Sequence, residues 1–434
     1  MQSSAIYQQV KHSLAHFFKQ QQYSFTVALS GGVDSVVLLH LMHLLKQEQP
    51  KLSLSAIYVN HGLSQYADDW QQFCHTLCAE LNVPFSAAAV HIAQKSRTSL
   101  EAQARDARYK ALDELSAPES IILLGQHLND QIETFLLRLK RGSGLKGLGA
   151  MQQTRTLKSG RTCFRPLLNV TRSSIEAFAA QFTINHITDD SNTDEQFDRN
   201  FLRASVVPVL AERFSGFEHC AGRSINLLQQ QQALLDEYTE LDLQHSLNSQ
   251  QGLCISQITA FSDIRISNVV RAWLNLFTQV MPSHKQLSQI INQAISAQAD
   301  AQMQVDLTDG QVRRHQGHLY FVSPQQVLID ETFNGNELTL KDGRLLIKLQ
   351  GKGVRAPLEN EQVTVRFNCN SARIKPLKKP GSNTLKHWFK DAKVAPWLRA
   401  QVPLIFYNDE LVQVVGYFIS EKHKDENGIF WECK

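Results

Sequence analysis

Residues 26–40, reading TVALSGGVDSVVLLH, constrain the fold more than any other stretch, because they set a glycine turn between a strand pattern and an apolar helix. Phe25, Val27 and Leu29 alternate as a half-buried strand does, and residues 36–45 are leucine-rich enough to continue as a helix. Gly31 and Gly32 fall where the turn is tightest. Glycine accepts positive φ and lets backbone approach an anion closely. Ser30, Ser35 and the unpaired N–H groups at the helix start, from Val33 onward, supply donors. The segment therefore reads as a phosphate-binding loop. Asp34 is repulsive beside a phosphate unless a divalent cation lies between them, so its expected task is holding magnesium. The loop lacks the lysine of a Walker A motif, and its spacing is not that of the dinucleotide fingerprint.

Around this loop the first half of the chain alternates helix and strand. A helix is expected over residues 6–20, then strands at 25–29, 54–60, 85–92 and 121–125, each followed by helical periodicity. That alternation predicts an α/β fold whose parallel sheet is covered on both faces. Ligands bind such sheets beyond the carboxyl ends of the strands, so the segments after Leu29, Val59 and Leu124 are expected to converge. They carry Asp34, then Asn60-His61-Gly62, then His127 and Asp130.

The chain has 434 residues, too many for one core at roughly 150 residues per domain. Its character shifts after Arg213 to Gln- and Leu-rich helical spacing, with amphipathic pieces at 264–277 and 285–297 and a hairpin at 304–307 and 311–321. From about Asn334 short strands with glycine turns surround a single helix at 384–393, with late strands at 404–407 and 411–419. Three domains are expected: a parallel-sheet domain at 1–213, a mostly helical domain at 214–328 and a small, basic, mixed α+β domain at 333–434.

The densest polar cluster is residues 125–134, GQHLNDQIET, which starts at a strand end and puts Asp130 and Glu133 on one face of a helix N-terminus. Asp34 and Asp130 are the expected magnesium pair; the alternative is that Asp130 and Glu133 simply favour the positive end of the helix dipole. Residues 134–174 then hold nine Lys or Arg and no Asp or Glu. Such a run suits a triphosphate or a nucleic-acid backbone. On the helix before it, Arg105 and Arg108 lie on one side with Glu101, where exposed i,i+4 pairing is the plain alternative. Residues 366–399 carry nine basic residues against Asp391 alone, with Trp388, Phe389 and Trp397 interleaved, a pattern suited to a nucleic-acid strand if the aromatics are exposed.

Seven cysteines at irregular spacing, with no CxxC, make neither a disulfide framework nor a zinc site; Cys74 and Cys78, one helical turn apart, read as buried small residues. With no apolar leader and no run near the roughly 18 residues of a membrane span, a cytoplasmic protein without a membrane partner is expected. A monomer and a homodimer fit the helical middle equally.

Taken together, Ser30-Gly31-Gly32-Val33-Asp34-Ser35, Asn60-His61-Gly62, Glu101 with Arg105, Arg108 and Tyr109, the 127–134 cluster, residues 138–144, Arg165-Pro166-Leu167, Asp190-Ser191-Asn192 and Arg199-Asn200 resemble the tRNA(Ile)-lysidine synthases, a family of PP-loop ATP pyrophosphatases. Residues 385–399, followed by Pro403-Leu404, are similar to the C-terminal domain of its longer members. The resemblance implies ligation of free L-lysine to the wobble cytidine of a tRNA(Ile) with anticodon CAU, with ATP split to AMP and pyrophosphate. It also implies cofactor contacts from Ser30, Gly31, Gly32, Val33, Asp34, Ser35, His61, Arg105, Arg108 and His127, and magnesium on Asp34 and Asp130. Catalytic roles are implied for Asp34, Asp130 and Glu133, the last as a further metal contact or a carboxylate near the lysine amine. Arg141, or a neighbour in residues 138–141, is expected to clamp phosphate. Arg199, Arg203, Lys378, Lys379, Lys386, Trp397 and Arg399 are expected to contact tRNA. Many relatives carry a second His and a second Asp beside His127 and Asp130; here Gln126 and Gln131 stand there. Two other readings are a tRNA thiolase of the same loop family, which commonly relies on the paired cysteines this chain lacks, and a non-catalytic tRNA-binding protein.

Overall fold

The computed structural model describes residues 1–60, 62, 64–90, 100–188, 196–296 and 303–434, and the chain divides into two compact units, residues 1–236 and 237–434. The first unit runs through α1 (Ala5–Lys19), β1 (Ser24–Ala28), α2 (Val33–Glu48), β2 (Ser53–Asn60), α3 (Ala67–Glu80), β3 (Phe85–Ala89), α4 (Leu100–Leu115), β4 (Ile121–Leu123) and α5 (Leu128–Lys140). It continues with α6 (Leu145–Leu148), β5 (Thr154–Thr156), β6 (Thr162–Phe164), α7 (Arg172–Gln181), α8 (Asp198–Phe201), α9 (Val207–Arg213) and the first part of α10 (Phe217–Ser246). Six strands make one sheet in the order β3-β2-β1-β4-β6-β5. Every pairing is parallel except β5 with β6.

Period-two alternation divides each strand between two helical layers. Phe25, Val27, Leu54, Ala56, Ile121, Leu123 and Phe164 face the layer built from α1, α2, α3 and α7, where Leu14, Leu38, Leu41, Cys74, Cys78 and Phe178 close the core. Ile57, Ile122, Leu124 and Cys163 point the other way, against Tyr109 and Leu112 of α4. The α/β expectation for this part holds, and α2 is buried nearly all round because it lies between the sheet and other helices. Strand order reverses between β1 and β4, which opens a crevice at their carboxyl ends. The β5–β6 edge hairpin was not expected: each strand has three residues and β5 is wholly exposed, so neither shows apolar alternation.

In the second unit the end of α10 and the helices Ile255–Ile258, Asp263–Leu274 and His284–Ser296 pack around Trp273. Against them lies an antiparallel meander, Gln304–Leu307, Gly310–His315 and His318–Val322, with Leu253–Cys254 on its edge. Here the expected strand 311–321 is broken. Gln316 (φ +49°) and Gly317 (φ +74°) form a second tight turn with both central residues left-handed, a geometry usually signalled by Asn-Gly rather than Gln-Gly. Beyond Leu328 the unit is strand-rich around the single helix Leu385–Asp391. The expected strand 411–419 turns at Gly416 (φ +78°) into Glu410–Val414 and Phe418–Ile419. The ten-residue strand Lys424–Cys433, paired with Leu345–Val354, was not expected, because its opening Lys-Asp-Glu-Asn-Gly reads as a loop.

Candidate active site

The loop between β1 and α2 is shaped by its own main chain. Gly31 takes φ +87°, and a Cβ there would sit 2.5 Å from Ile187 Cδ1. The Gly31 carbonyl accepts from the Ile187 N–H at 2.9 Å, so a neighbouring segment runs beside the loop like a short extra strand. Ser35 braces the turn from inside: its hydroxyl accepts the Ser30 N–H at 3.1 Å and donates to the Gly32 carbonyl at 3.0 Å. Ser35 is thus a strut of the loop as much as a donor to a ligand. Gly32 is the N-cap of α2 and makes no side-chain cap, so the helix start faces the crevice with free N–H groups. The loop rests on Gly125, just past β4, where a Cβ would come within 3.2 Å of the Ser35 nitrogen.

Asp34 and Asp130 come to the crevice from two helix starts. Asp130 accepts the His127 backbone N–H at 3.0 Å, closing the first turn of α5. His127 Nε2 lies 3.6 Å from Asp34 Oδ1 and 3.5 Å from Asp130 Oδ2. Asp34 Oδ2 receives Arg172 Nη1 at 2.7 Å, whereas Asp34 Oδ1 and His127 Nδ1 are buried without a hydrogen-bond partner. Burial raises the Asp34 pKa, opposed by His127 and Arg172 and reinforced by Asp130. Burial also pushes Asp130 up, but His127, Arg199, the His127 N–H and Arg203 together outweigh it and hold this carboxyl low. Among the described residues no three His, Cys, Asp or Glu form a ready-made metal cage. Two carboxylates with one unpartnered oxygen nonetheless suit magnesium, which usually takes one or two protein carboxylates and completes its shell with phosphates and water.

Glu133 sits one turn beyond Asp130 and is only 1% exposed. Its Oε1 receives Arg203 Nε and its Oε2 receives Arg199 Nε, both at 2.7 Å, and the same two arginines reach Asp130 Oδ1 at 3.0 and 3.2 Å. Arg199 is on α8 and Arg203 on the π-helical turn Leu202–Val206 that follows. Pro208, at the start of α9, explains the wide turn: it has no N–H to donate and its ring crowds the carbonyl four residues back. Arg199 and Arg203, expected to contact tRNA, pair with Asp130 and Glu133 in the walls of the crevice. The signal for this was their i,i+4 spacing, which matches a buried carboxylate as well as it matches a phosphate.

A second concentration of charge surrounds Tyr109. Guanidiniums of Arg105, Arg108 and Arg155 lie 5.5, 5.6 and 4.5 Å from its ring centre, and Arg165 Nη2 donates to its hydroxyl at 3.4 Å. Burial raises the Tyr109 pKa, but the surrounding arginines, Arg165 foremost, outweigh it and bring it down. Gln126 holds Arg165 in place by accepting its Nε at 2.9 Å. Gln131 clamps main chain, donating to the Met151 carbonyl at 2.8 Å and accepting the Met151 N–H at 2.7 Å. The two glutamines are therefore struts of the site.

Other expected residues are placed differently. Arg141 caps the far end of α5 and is exposed, about 16 Å along the helix from Asp130 at 1.5 Å per residue. The arginine that reaches the loop carboxylate is Arg172, whose Nη1 lies 2.7 Å from Asp34 Oδ2. His61 and residues 190–192 lie outside the described residues. In the second unit Trp388 and Phe389 are buried, and Trp388 donates to the Ile374 carbonyl, so neither is a stacking platform. Trp397 packs against His315 and Tyr320, Arg399 donates to the Val394 carbonyl, and Lys379 pairs with Asp391 at 2.7 Å. Lys378 and Lys386 are exposed.

A phosphate-type loop at the reversal point of a parallel sheet, with acidic helix starts on either side and no Walker lysine, defines a PP-loop enzyme domain, and the family model described as the PP-loop domain matches residues 5–210. The models described as the TilS substrate binding domain and the TilS substrate C-terminal domain match residues 253–320 and 363–431. The chain belongs to the tRNA(Ile)-lysidine synthase family. It is 39% identical over 402 residues to the tRNA(Ile)-lysidine synthase of Proteus mirabilis (strain HI4320), covering 91% of each chain. To the enzyme of that name from Enterobacter sp. (strain 638) it is 37% identical, covering 94% of this chain and 96% of the relative. Among solved structures, the U34-tRNA thiolase NcsA from Methanococcus maripaludis is similar over 52% of this chain and 78% of its own, at 19% identity and a TM-score of 0.43. Among the described residues no helix is long and apolar enough to cross a membrane.

Proposed function

We propose that this chain joins free L-lysine to the wobble cytidine of a tRNA(Ile) with anticodon CAU, using one ATP per lysidine formed. The carrying observation is the pair Asp34 and Asp130, brought together at the strand-order reversal, in a chain of which 91% aligns with a synthase of this name. The cytidine O2 attacks the α-phosphorus of ATP and pyrophosphate leaves, which turns a poor leaving oxygen into a good one. The lysine ε-amine then attacks C2, AMP departs, and the amine gives up a proton.

The residues divide this work. The helix start at Gly32 to Ser35 receives the pyrophosphate oxygens through backbone N–H groups and the end of the helix dipole. Asp34, whose Oδ1 has no hydrogen-bond partner, and Asp130 would hold magnesium, which when bound would offset charge at the leaving pyrophosphate. Glu133 is saturated by two guanidiniums, so its role is to fix Arg199 and Arg203 rather than to bind metal. The arginines around Tyr109 offer anion contacts beside the crevice, and exposed Lys378 and Lys386 offer contacts to RNA backbone.

The test is to incubate the purified protein with ATP, magnesium, labelled lysine and the CAU tRNA(Ile), digest with nuclease and identify the nucleoside carrying the label. Lysine on cytidine, with one AMP released per lysidine, is the expected result. Formation of AMP without lysine transfer would move the search to another nucleophile. Asp34→Ala and Asp130→Ala should abolish ATP–pyrophosphate exchange while leaving tRNA binding, and retained exchange would refute the metal assignment.

A further inference from the structure

Arg172 is the one guanidinium or ammonium group within ion-pair distance of the loop carboxylate among the described residues, beside the imidazole of His127, and its bonds give it two stations. Nη1 meets Asp34 Oδ2 and Nε meets Glu176 Oε1, each at 2.7 Å. Glu176 is one turn along the same helix, so that pairing survives a swing of the guanidinium. The backbone beneath cannot follow such a swing. The Arg172 N–H donates to Asn129 Oδ1 at 2.9 Å, Asn129 is bonded in turn to Glu218, the Leu128 N–H donates to the Val170 carbonyl at 2.8 Å, and the Thr171 side chain caps α7. Main chain is thus tied to the start of α5, while the side chain is 39% exposed and reaches into the crevice.

A guanidinium and a divalent cation compete for Asp34, since two positive charges at hydrogen-bond range of one carboxylate repel each other. We propose that Arg172 is a placeholder cation. It neutralises Asp34 in the nucleotide-free protein, cedes that carboxylate to the metal when ATP enters, and then donates to the pyrophosphate part of the nucleotide while Glu176 keeps hold of its Nε. This rests on the reading of Asp34 as a metal ligand. The exchange leaves no charge uncompensated in either state: before binding Arg172 covers Asp34, and afterwards it covers phosphate.

The experiment titrates Mn2+, a paramagnetic stand-in for Mg2+, into the nucleotide-free full chain and reads free ion by EPR; ATP affinity is measured separately at saturating Mg2+. Arg172→Gln should tighten Mn2+ binding by about two- to fivefold, the worth of a partly exposed competing charge, and weaken ATP binding by a similar factor. Glu176→Gln, which leaves Arg172 only Asp34 as partner, should weaken Mn2+ binding by about twofold. Arg172→Lys, which keeps the charge, should bind Mn2+ more nearly as the parent does. If Asp34→Asn abolishes Mn2+ binding but Arg172→Gln leaves it unchanged or weaker, Arg172 is a brace and the proposal is wrong. Tightened Mn2+ with unaltered ATP affinity would overturn the phosphate-binding half. Mn2+ binding that survives Asp34→Asn would instead overturn the metal reading beneath it.

Discussion

Asparagine at position 34 and asparagine at position 130 each remove one charge from the same crevice, yet the two substitutions should move stability differently. In metal-free protein Asp130 is nearly buried and serves three donors, the His127 N–H at 3.0 Å and the guanidiniums of Arg199 and Arg203 at 3.0 and 3.2 Å. Bonds to a charged acceptor contribute about 1.5–3 kcal/mol, and both arginines keep Glu133 when Asp130 is neutralised, so a loss of about 2 kcal/mol is expected. For a unit of this size that is a fall of roughly 4–8 °C in melting temperature. Asp34 has the opposite balance. Burial costs its charge more than the half-exposed Arg172 and its other neighbours return, so its folded pKa is raised above 3.8 and Asp34→Asn should melt no lower than the parent. The pH dependences carry opposite signs as well. Stability from Asp130 is complete above its unfolded value, near 3.8, and is lost as pH falls through the lower folded value. Protonation of Asp34 favours the folded state, so stability linked to it declines as pH rises from 3.8 to its higher folded value. Thermal melts followed by circular dichroism in chelator, at several pH values, read both. An Asp34→Asn variant that melts as far below the parent as Asp130→Asn, or an Asp130→Asn variant that melts with the parent, would refute the reasoning.

Gly31→Ala should lose ATP binding, measured by equilibrium dialysis, and cost about 1–3 kcal/mol in denaturant unfolding, because a Cβ at φ +87° meets Ile187 at 2.5 Å. Replacing Arg199 and Arg203 together by methionine strands Glu133 in the interior and should destabilise by about 3–5 kcal/mol, with each single change costing less than half of that, as chemical unfolding would show. Lys378→Glu with Lys386→Glu should weaken tRNA binding and flatten its dependence on salt in filter-binding titrations, while ATP affinity stays at the parent value.

Much of the first unit was legible because periodicity carries burial: Phe25, Val27 and Leu29 announced the central strand, and the turn at Gly31 and Gly32 could stand only where a strand meets a helix. The convergence of Asp34 with Asp130 followed from the rule that parallel sheets bind ligands at strand ends. What escaped has a common cause. Arg172 lies 138 residues from Asp34 along the chain, and one of six arginines in a run of nine basic residues carries no mark of the one that will reach the loop. The pairing of Arg199 and Arg203 with Glu133 was equally out of sight, because that carboxylate is distant in sequence. In the C-terminal part Trp388 and Trp397 sit beside lysines whether they are core or platform; only packing decides, and it buries the first while leaving the second partly exposed beside His315 and Tyr320.

The loop proposed to cradle the nucleotide is built of main chain resting on main chain: the Gly31 carbonyl on the Ile187 N–H, and Gly125 against the backbone of Asp34 and Ser35. Its mutational tolerance should accordingly be uneven. Most positions around it can exchange side chains without touching its shape, while Gly31 and Gly125 admit almost no substitution. In a saturation library screened for folded protein rather than for activity, those two glycines should stand out with Ser35 as the intolerant sites of the loop, while Asp34 admits neutral replacements.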